Sequence, residues 1–257
     1  QTLHEWSEPL DYIICYDRAE QYDEMSSISQ QLHVPIILVD MCSKAMIRPQ
    51  HLLEKMHDIN LDHLNRIANL QVYSNEHIQQ SWSAYNGMSV IIPIGIDINK
   101  FKNEESATTC IAIDNNTVAQ VGAQIATQVQ GLCPILPTDH DNLQNITINQ
   151  SRYFINTNKS ITIKTLEAMS AENVVICLNT PDTSGVITNQ ETGVLIDTIN
   201  DLHNVLSWLE KDRDARLTMA QAARQKIVSE HSMQQFIDQW SHAFTSIKSS
   251  FYNPILL

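Results

Sequence analysis

The chain has 257 residues, of which 43% are hydrophobic and 18% are charged. These proportions are typical of a globular protein with a substantial core, and no run approaches the roughly 18 consecutive apolar residues of a membrane helix. Sixteen basic and 29 acidic residues give a net charge of −13. Such a surface repels phosphate backbones and anionic lipids, so nucleic-acid and membrane partners are disfavoured.

The cysteines and the first residues favour a cytoplasmic location. The chain has five cysteines, an odd number, and no Cys-x-x-Cys pair, so neither a disulfide framework nor a zinc ribbon is indicated. The first residues, Gln-Thr-Leu-His-Glu-Trp, lack the pattern of a signal peptide. We therefore expect reduced, mostly buried cysteines in a cytoplasmic protein.

Strand-like and helix-like patterns alternate along the first 101 residues. Short apolar runs predict strands, and apolar residues that recur every three or four positions predict helices. The polar sequence Ser-Asn-Glu at 74–76 predicts a capped helix start. The predicted strands are residues 12–15, 35–39, 70–73 and 90–92, and the predicted helices cover residues 19–32 and two stretches between residues 52 and 67.

The same alternation continues after a polar hinge at residues 102–106. It predicts an α/β fold in which two domains each contain a parallel sheet with crossover helices. We expect domains at residues 1–101 and 102–235, and an amphipathic helix at 236–257 that crosses back to the first domain. The predicted strands of the second domain are residues 109–113, 133–136, 153–155, 174–177 and 191–196, and its predicted helices are residues 117–129, 202–209, 214–229 and one that opens near 162.

The segment around Thr162 has the pattern of an anion site. A strand at 153–155 runs into the polar loop 156–160, and a helix then begins near Thr162. The first N–H groups of a helix have no partner within it, and the helix dipole adds positive potential there. Glu167 lies in the second turn, where a carboxylate can accept hydrogen bonds from ribose hydroxyls.

Four pieces of sequence carry a resemblance to a known family. They are Leu-Glu-Ala-Met-Ser at 166–170, Glu-Thr-Gly-Val-Leu at 191–195, the segment 212–224, and Val-Ile-Ile-Pro-Ile-Gly-Ile-Asp at 90–97 with its continuation to Phe101. Together they resemble family 4 of the retaining glycosyltransferases over about two thirds of the chain. The resemblance implies the GT-B fold, two Rossmann-like domains with parallel sheets, here with a reduced N-terminal domain.

The resemblance also implies a function and a set of site residues. It implies sugar transfer with retention from a UDP- or GDP-linked donor to an unknown acceptor, with no catalytic metal and no further cofactor. The second domain is expected to bind the donor and the cleft between the domains the acceptor. The expected donor residues are Ser160, Thr162 and Ile163 for the diphosphate and Glu167 for the ribose, and the expected catalytic residues are Lys159 and Asp40.

Several positions depart from the family pattern. Lys159 stands where the family has a second glutamate, and Thr162 stands where it has a glycine. Glu-Asn-Val at 172–174 replaces Gly-x-Pro, and Asp-Asn-Asn at 114–116 stands near the place of the cation pair that holds the diphosphate. We hypothesise that Lys159 restores positive charge beside the phosphates.

Each candidate residue also has an ordinary explanation. Glu167 is otherwise a solvated helix glutamate, and Lys159 is otherwise an exposed loop lysine. Ser160 and Thr162 fit helix N-caps, which remain compatible with phosphate binding. Asp40 follows a strand, where function gathers in α/β folds, but turn residues lie there too. The sequence Asp139-His140-Asp141 fits a solvated turn better than a metal site.

Two other functions stay open. One is a nucleotide-sugar epimerase on the same fold, and the other is a non-catalytic module that binds a sugar nucleotide or a partner enzyme. The changed residues at 159 and 172 favour the non-catalytic module. The short first domain indicates either a minimal enzyme or a surface completed by a partner or by a second copy in a homo-oligomer.

Overall fold

The computed structural model describes residues 10–16, 22–41, 68–82, 87–103, 108–113, 115–132, 134–137 and 146–252. The chain forms two compact units, Gln1–Pro93 together with Asp238–Leu257, and Ile94–Ile237. The helical patterns predicted between residues 52 and 67, Asp114 and the sequence Asp139-His140-Asp141 lie outside the described residues.

The first unit contains one parallel sheet of four strands in the order β1-β2-β3-β4. All residues of β2 are buried, as expected of an apolar strand in the interior of a parallel sheet. The predicted cap is present, since the Asn75 side chain accepts a hydrogen bond from the Ile78 amide at 2.9 Å. The elements are β1 (Ile13–Tyr16), α1 (Tyr22–Leu32), β2 (Ile36–Asp40), β3 (Leu70–Tyr73), α2 (Glu76–Ser81) and β4 (Ser89–Ile91).

The second unit contains a parallel sheet of five strands in the order β6-β5-β7-β8-β9. Its strands are β5 (Thr108–Ile113), β6 (Ile135–Pro137), β7 (Ser151–Asn156), β8 (Val174–Leu178) and β9 (Val194–Ile196). Its helices are α3 (Asn115–Val129), α4 (Ile163–Ser170), α5 (Pro181–Ser184), α6 (Leu202–Lys211) and α7 (Arg213–Glu230). The prediction of an α/β fold with parallel sheets is therefore confirmed.

The central strands of this sheet bury side chains on both faces. Along β7, Phe154 joins a core with α4 and α7, whereas Tyr153 and Ile155 join a second core with α3 and α6. Successive side chains of a strand point to opposite faces, so a continuous apolar run can supply both cores. This double burial holds β7 and β8 in the middle of the unit.

The strand order creates a topological switch point beside β7. The chain leaves β5 through α3 to β6 on one side, and β7 then pairs with β5 on the other side. In open α/β sheets, ligands bind outside the carboxyl ends of the strands at such a point. The loop between β7 and α4 begins at this position.

The last helix, α8 (Met233–Tyr252), begins in the second unit and ends in the first. Within the first unit, Tyr12 donates a hydrogen bond through its hydroxyl to the Phe244 carbonyl at 3.0 Å, and Lys248 forms an ion pair with Asp11 at 3.0 Å. Of the helices in the described parts of the chain, none combines the length and apolar character needed to span a membrane.

Candidate functional site

The β7–α4 loop, residues 156–162, is shaped by a buried asparagine. Asn156 ends β7, and its side chain accepts a hydrogen bond from the Asn158 amide at 2.9 Å and donates one to the Ser160 carbonyl at 3.0 Å. These two bonds replace backbone pairing that the loop lacks. Sequence reasoning missed this role, although an asparagine directly after an apolar strand is a turn signal.

A second contact ties the same loop to the end of β8. The Thr180 hydroxyl donates to the Lys159 carbonyl at 2.7 Å. Thr180 is itself fixed as the N-cap of α5, where it exchanges hydrogen bonds with Thr183. The backbone of Lys159 is therefore held between two strand ends while its side chain is exposed.

The start of α4 presents an unused amide. Thr162 is the N-cap residue, and its hydroxyl oxygen accepts a hydrogen bond from the Thr165 amide at 3.3 Å. Ile163 follows as the first helical residue and is 50% exposed. No residue in the described part of the chain accepts a hydrogen bond from the Ile163 amide, as expected for the first turn of a helix. A bound anion can accept it.

Glu167 lies one turn beyond that amide. It is half-buried on α4 between the buried Leu166 and Ala168. Residues three and four apart on a helix are neighbours, so Glu167 shares its side of α4 with Ile163 and Lys164. The structure thus places all four predicted donor residues, together with Lys159, in the β7–α4 loop and the first two turns of α4.

Asp40 belongs to the first unit and does not share that loop. It ends β2 and is only 1% exposed, and its carboxylate accepts a hydrogen bond from the Gln71 side-chain amide. The Oε1 atom of Gln71 is buried and has no hydrogen-bond partner among the residues that the structure describes. Asp40 is therefore not a solvated turn residue. A buried charge needs a compensating interaction, and the Gln71 side-chain amide supplies one here.

Cys15 and Cys177 are not suited to nucleophilic chemistry. Burial raises the pKa of the Cys177 thiol, and a hydrogen bond with Asn156 only partly opposes this shift. Burial also raises the pKa of Cys15. A nucleophilic cysteine needs a lowered pKa. Among the described residues, no three histidine, cysteine, aspartate or glutamate side chains are grouped as metal ligands.

A family model described as glycosyl transferase-like matches residues 142–242, which contain β7, α4 and β8. No curated protein matches the chain in sequence.

Solved structures resemble most of the chain at low identity. HepE of Anabaena in complex with UDP and glucose is 13% identical, with a TM-score of 0.74, over 92% of this chain and 78% of that protein. Sucrose-phosphate synthase of Thermosynechococcus elongatus is 13% identical, with a TM-score of 0.70, over 96% and 75%. A glycosyltransferase of Rickettsia africae is 12% identical, with a TM-score of 0.59, over 88% and 80%. The predicted GT-B fold is therefore confirmed.

Proposed function

We propose that the protein is a retaining glycosyltransferase that uses a UDP- or GDP-linked sugar as co-substrate. The observation that carries this proposal is the start of α4, an open helix N-terminus at the switch point of a GT-B sheet. It falls within the segment that is similar to the glycosyl transferase-like model. The structural relative HepE, which has the same fold, was solved with UDP and with UDP-glucose.

In this proposal the β7–α4 loop binds the diphosphate. The Ile163 amide and the hydroxyl groups of Ser160 and Thr162 contact the phosphate oxygens, and the Lys159 ammonium group lies beside them. Negative charge develops on the diphosphate as the sugar leaves, and fixed dipoles stabilise that charge without reorganisation. A helix end and a lysine can therefore replace a metal ion in this role.

Glu167 binds the ribose in the same proposal. A carboxylate accepts hydrogen bonds from two neighbouring hydroxyl groups. Its partial burial supports this role, because a half-buried carboxylate loses less side-chain freedom on binding than a fully exposed one. Asp40 acts on the acceptor side, and its support is a buried carboxyl pinned by Gln71 at the carboxyl end of a parallel strand.

Binding without transfer is the second candidate function. It is favoured by Lys159, which stands where the resembling family has a glutamate. A module of this kind holds the sugar nucleotide but lacks one acid that contacts the sugar.

Nucleotide binding followed by turnover tests both candidates. We expect UDP or GDP to raise the melting temperature of the protein. Glu167→Gln should lower the affinity for that nucleotide about tenfold, because a charge-assisted hydrogen bond is lost. Glu230→Gln, an exposed glutamate on α7, is the matched control. Release of monosaccharide from the UDP- or GDP-sugar supports the glycosyltransferase, whereas binding without release supports the non-catalytic module. If no nucleoside diphosphate binds, both candidates are wrong.

A further inference from the structure

A cavity of about 540 Å³ lies at the amino-terminal ends of β7 and β8. Ser151 and Arg152, which begin β7, and Val174, which begins β8, line it. The β7–α4 loop lies at the opposite end of the same strands, roughly 17–20 Å away for strands of this length. The cavity is therefore separate from the proposed donor site.

Three arginines line this cavity, and one of them is held rigidly. Arg216 is 9% exposed, and its Nη1 atom lies 3.2 Å from Oε1 of Glu210. The Nη1 atom of Arg152 lies 4.0 Å from the same carboxylate oxygen. Tyr153 donates its hydroxyl proton to that oxygen at 2.5 Å. Burial and the bond to Glu210 raise the pKa of Tyr153, so it remains a donor.

The charges around the cavity do not balance. Glu172 also lines it, but Glu172 lies 3.7 Å from Arg224 outside the lining and accepts a hydrogen bond from Asn103. Among the lining residues that the structure describes, Glu210 is then the acid that remains to face the three arginines. Arg213 has no acidic partner within the described part of the chain. An excess of positive charge gathers here in a chain whose net charge is −13.

We infer that this cavity binds a small multivalent oxyanion, a compound with a phosphate group or several carboxylates. Guanidinium groups bind both in a planar, two-pronged geometry, and they are preferred where such groups are recognised. The volume lies in the range of small-molecule sites. The fixed position of Arg216 orders one donor group before the ligand arrives, which lowers the entropic cost of binding.

Calorimetric titration with inorganic phosphate and, separately, with citrate tests the inference. The titrations use the full chain in chloride buffer at fixed ionic strength. We expect at least one anion to bind, and the stronger of the two identifies phosphate or carboxylate as the preferred chemistry. Arg213→Ala should weaken binding about tenfold, because one charged donor is lost. Glu210→Gln should strengthen it, because one repelling charge is removed.

Control variants separate this cavity from the donor site. Lys211→Ala removes an exposed cation next to the cavity but outside its lining, and Lys159→Ala removes the cation of the β7–α4 loop. Both variants should retain the anion binding that Arg213→Ala weakens. The inference is wrong if neither anion binds at up to about 10 mM, or if Lys159→Ala abolishes binding while Arg213→Ala does not.

Discussion

Asn156 shows how one side chain can set the shape of a candidate site. It lies fully buried at the end of β7, and its amide group holds both Asn158 and Ser160. An unpaired buried amide is costly, so a buried asparagine is kept where it completes a hydrogen-bonding arrangement. The loop therefore has a defined conformation before any ligand binds.

Lys159 is the residue on which the proposed diphosphate site can be tested most directly. Its carbonyl is fixed by Thr180, and its side chain is exposed. We expect Lys159→Ala to lower the affinity for UDP or GDP about three- to tenfold, because an exposed ion pair contributes modestly to binding. Calorimetric titration at low and high salt measures the effect, which should shrink as salt screens the charge.

The matched control for this change is Lys211→Ala, another exposed lysine of the second unit. It should leave nucleotide affinity unchanged. Equal affinity of the Lys159→Ala variant and the unmodified protein for the nucleotide would remove Lys159 from the site and leave the helix end to hold the diphosphate alone.

At the scale of elements, the turn before β9 explains one piece of the sequence motif. Gly193 lies against Val175 and Ile187, and a Cβ atom there would approach their Cγ2 atoms to 2.7 and 2.9 Å. The Gln190 amide donates to the Gly193 carbonyl at 2.7 Å and closes the turn. Glycine is thus required by packing at residue 193.

Gln190, in the same turn, is a position where the backbone conformation favours glycine but the chain has another residue. Its φ is 61°, in the left-handed region that favours glycine, and its side chain is exposed. We expect Gln190→Gly to stabilise the protein by about 0.5–1 kcal/mol, because glycine adopts this conformation without steric cost. Urea denaturation measures the change in the free energy of unfolding.

Gln221→Gly is the control, since Gln221 is an exposed glutamine inside α7. There glycine should destabilise the protein by about 0.5–1 kcal/mol, because a helix interior gains nothing from left-handed freedom. Destabilisation by both substitutions would show that the left-handed conformation of residue 190 carries no strain.

At the scale of the whole molecule, residues 94–101 are held to the rest of the second unit by hydrogen bonds that involve their backbone groups. The Ile96 amide donates to the His231 carbonyl at 2.7 Å, and Ser170 donates through its hydroxyl to the Phe101 carbonyl at 2.7 Å. Arg224 donates to the same Phe101 carbonyl at 3.2 Å. These bonds join residues 94–101 to the rest of the second unit, which spans Ile94–Ile237.

His231 makes this attachment sensitive to pH. Burial lowers the pKa of His231 below its ordinary value of 6.5 and nearby Lys226 lowers it slightly further, although the hydrogen bond to the Ile94 carbonyl and the Glu230 charge oppose the shift. Below pH 6.5 the unfolded chain therefore binds this proton before the folded chain does. Stability must then fall as the pH drops from 6.5 towards the lower folded pKa.

His231→Asn keeps a donor for Ile94 and removes the titration. Between about pH 7.5 and pH 5.5, the free energy of unfolding should fall less in this variant than in the unmodified protein. The difference should be below about 1.4 kcal/mol for each unit by which folding lowers the pKa of His231. Urea denaturation at the two pH values measures it. His242→Asn, at an exposed position of α8, controls for the substitution. An unchanged pH dependence in His231→Asn would contradict the assignment.

The sequence by itself determined the class of fold and the local order of the elements. Apolar runs such as those of β7 and β8 predicted strands, and the cap at Thr162 predicted a helix start. Both signals are local, because conformational preference depends on neighbouring residues. The resemblance of residues 166–170 and 191–195 to a family added the GT-B fold and the predicted donor residues, whose roles stay predictions.

Only the tertiary structure decided which distant residues meet. The strand order set the β7–α4 loop at a switch point, and the crossovers brought Arg216 to Tyr153, 63 residues apart in sequence. The buried pair of Asp40 and Gln71 likewise joins two strands. Such contacts depend on how crossover connections order the strands and stack the helices, and no periodicity within a single segment encodes that order.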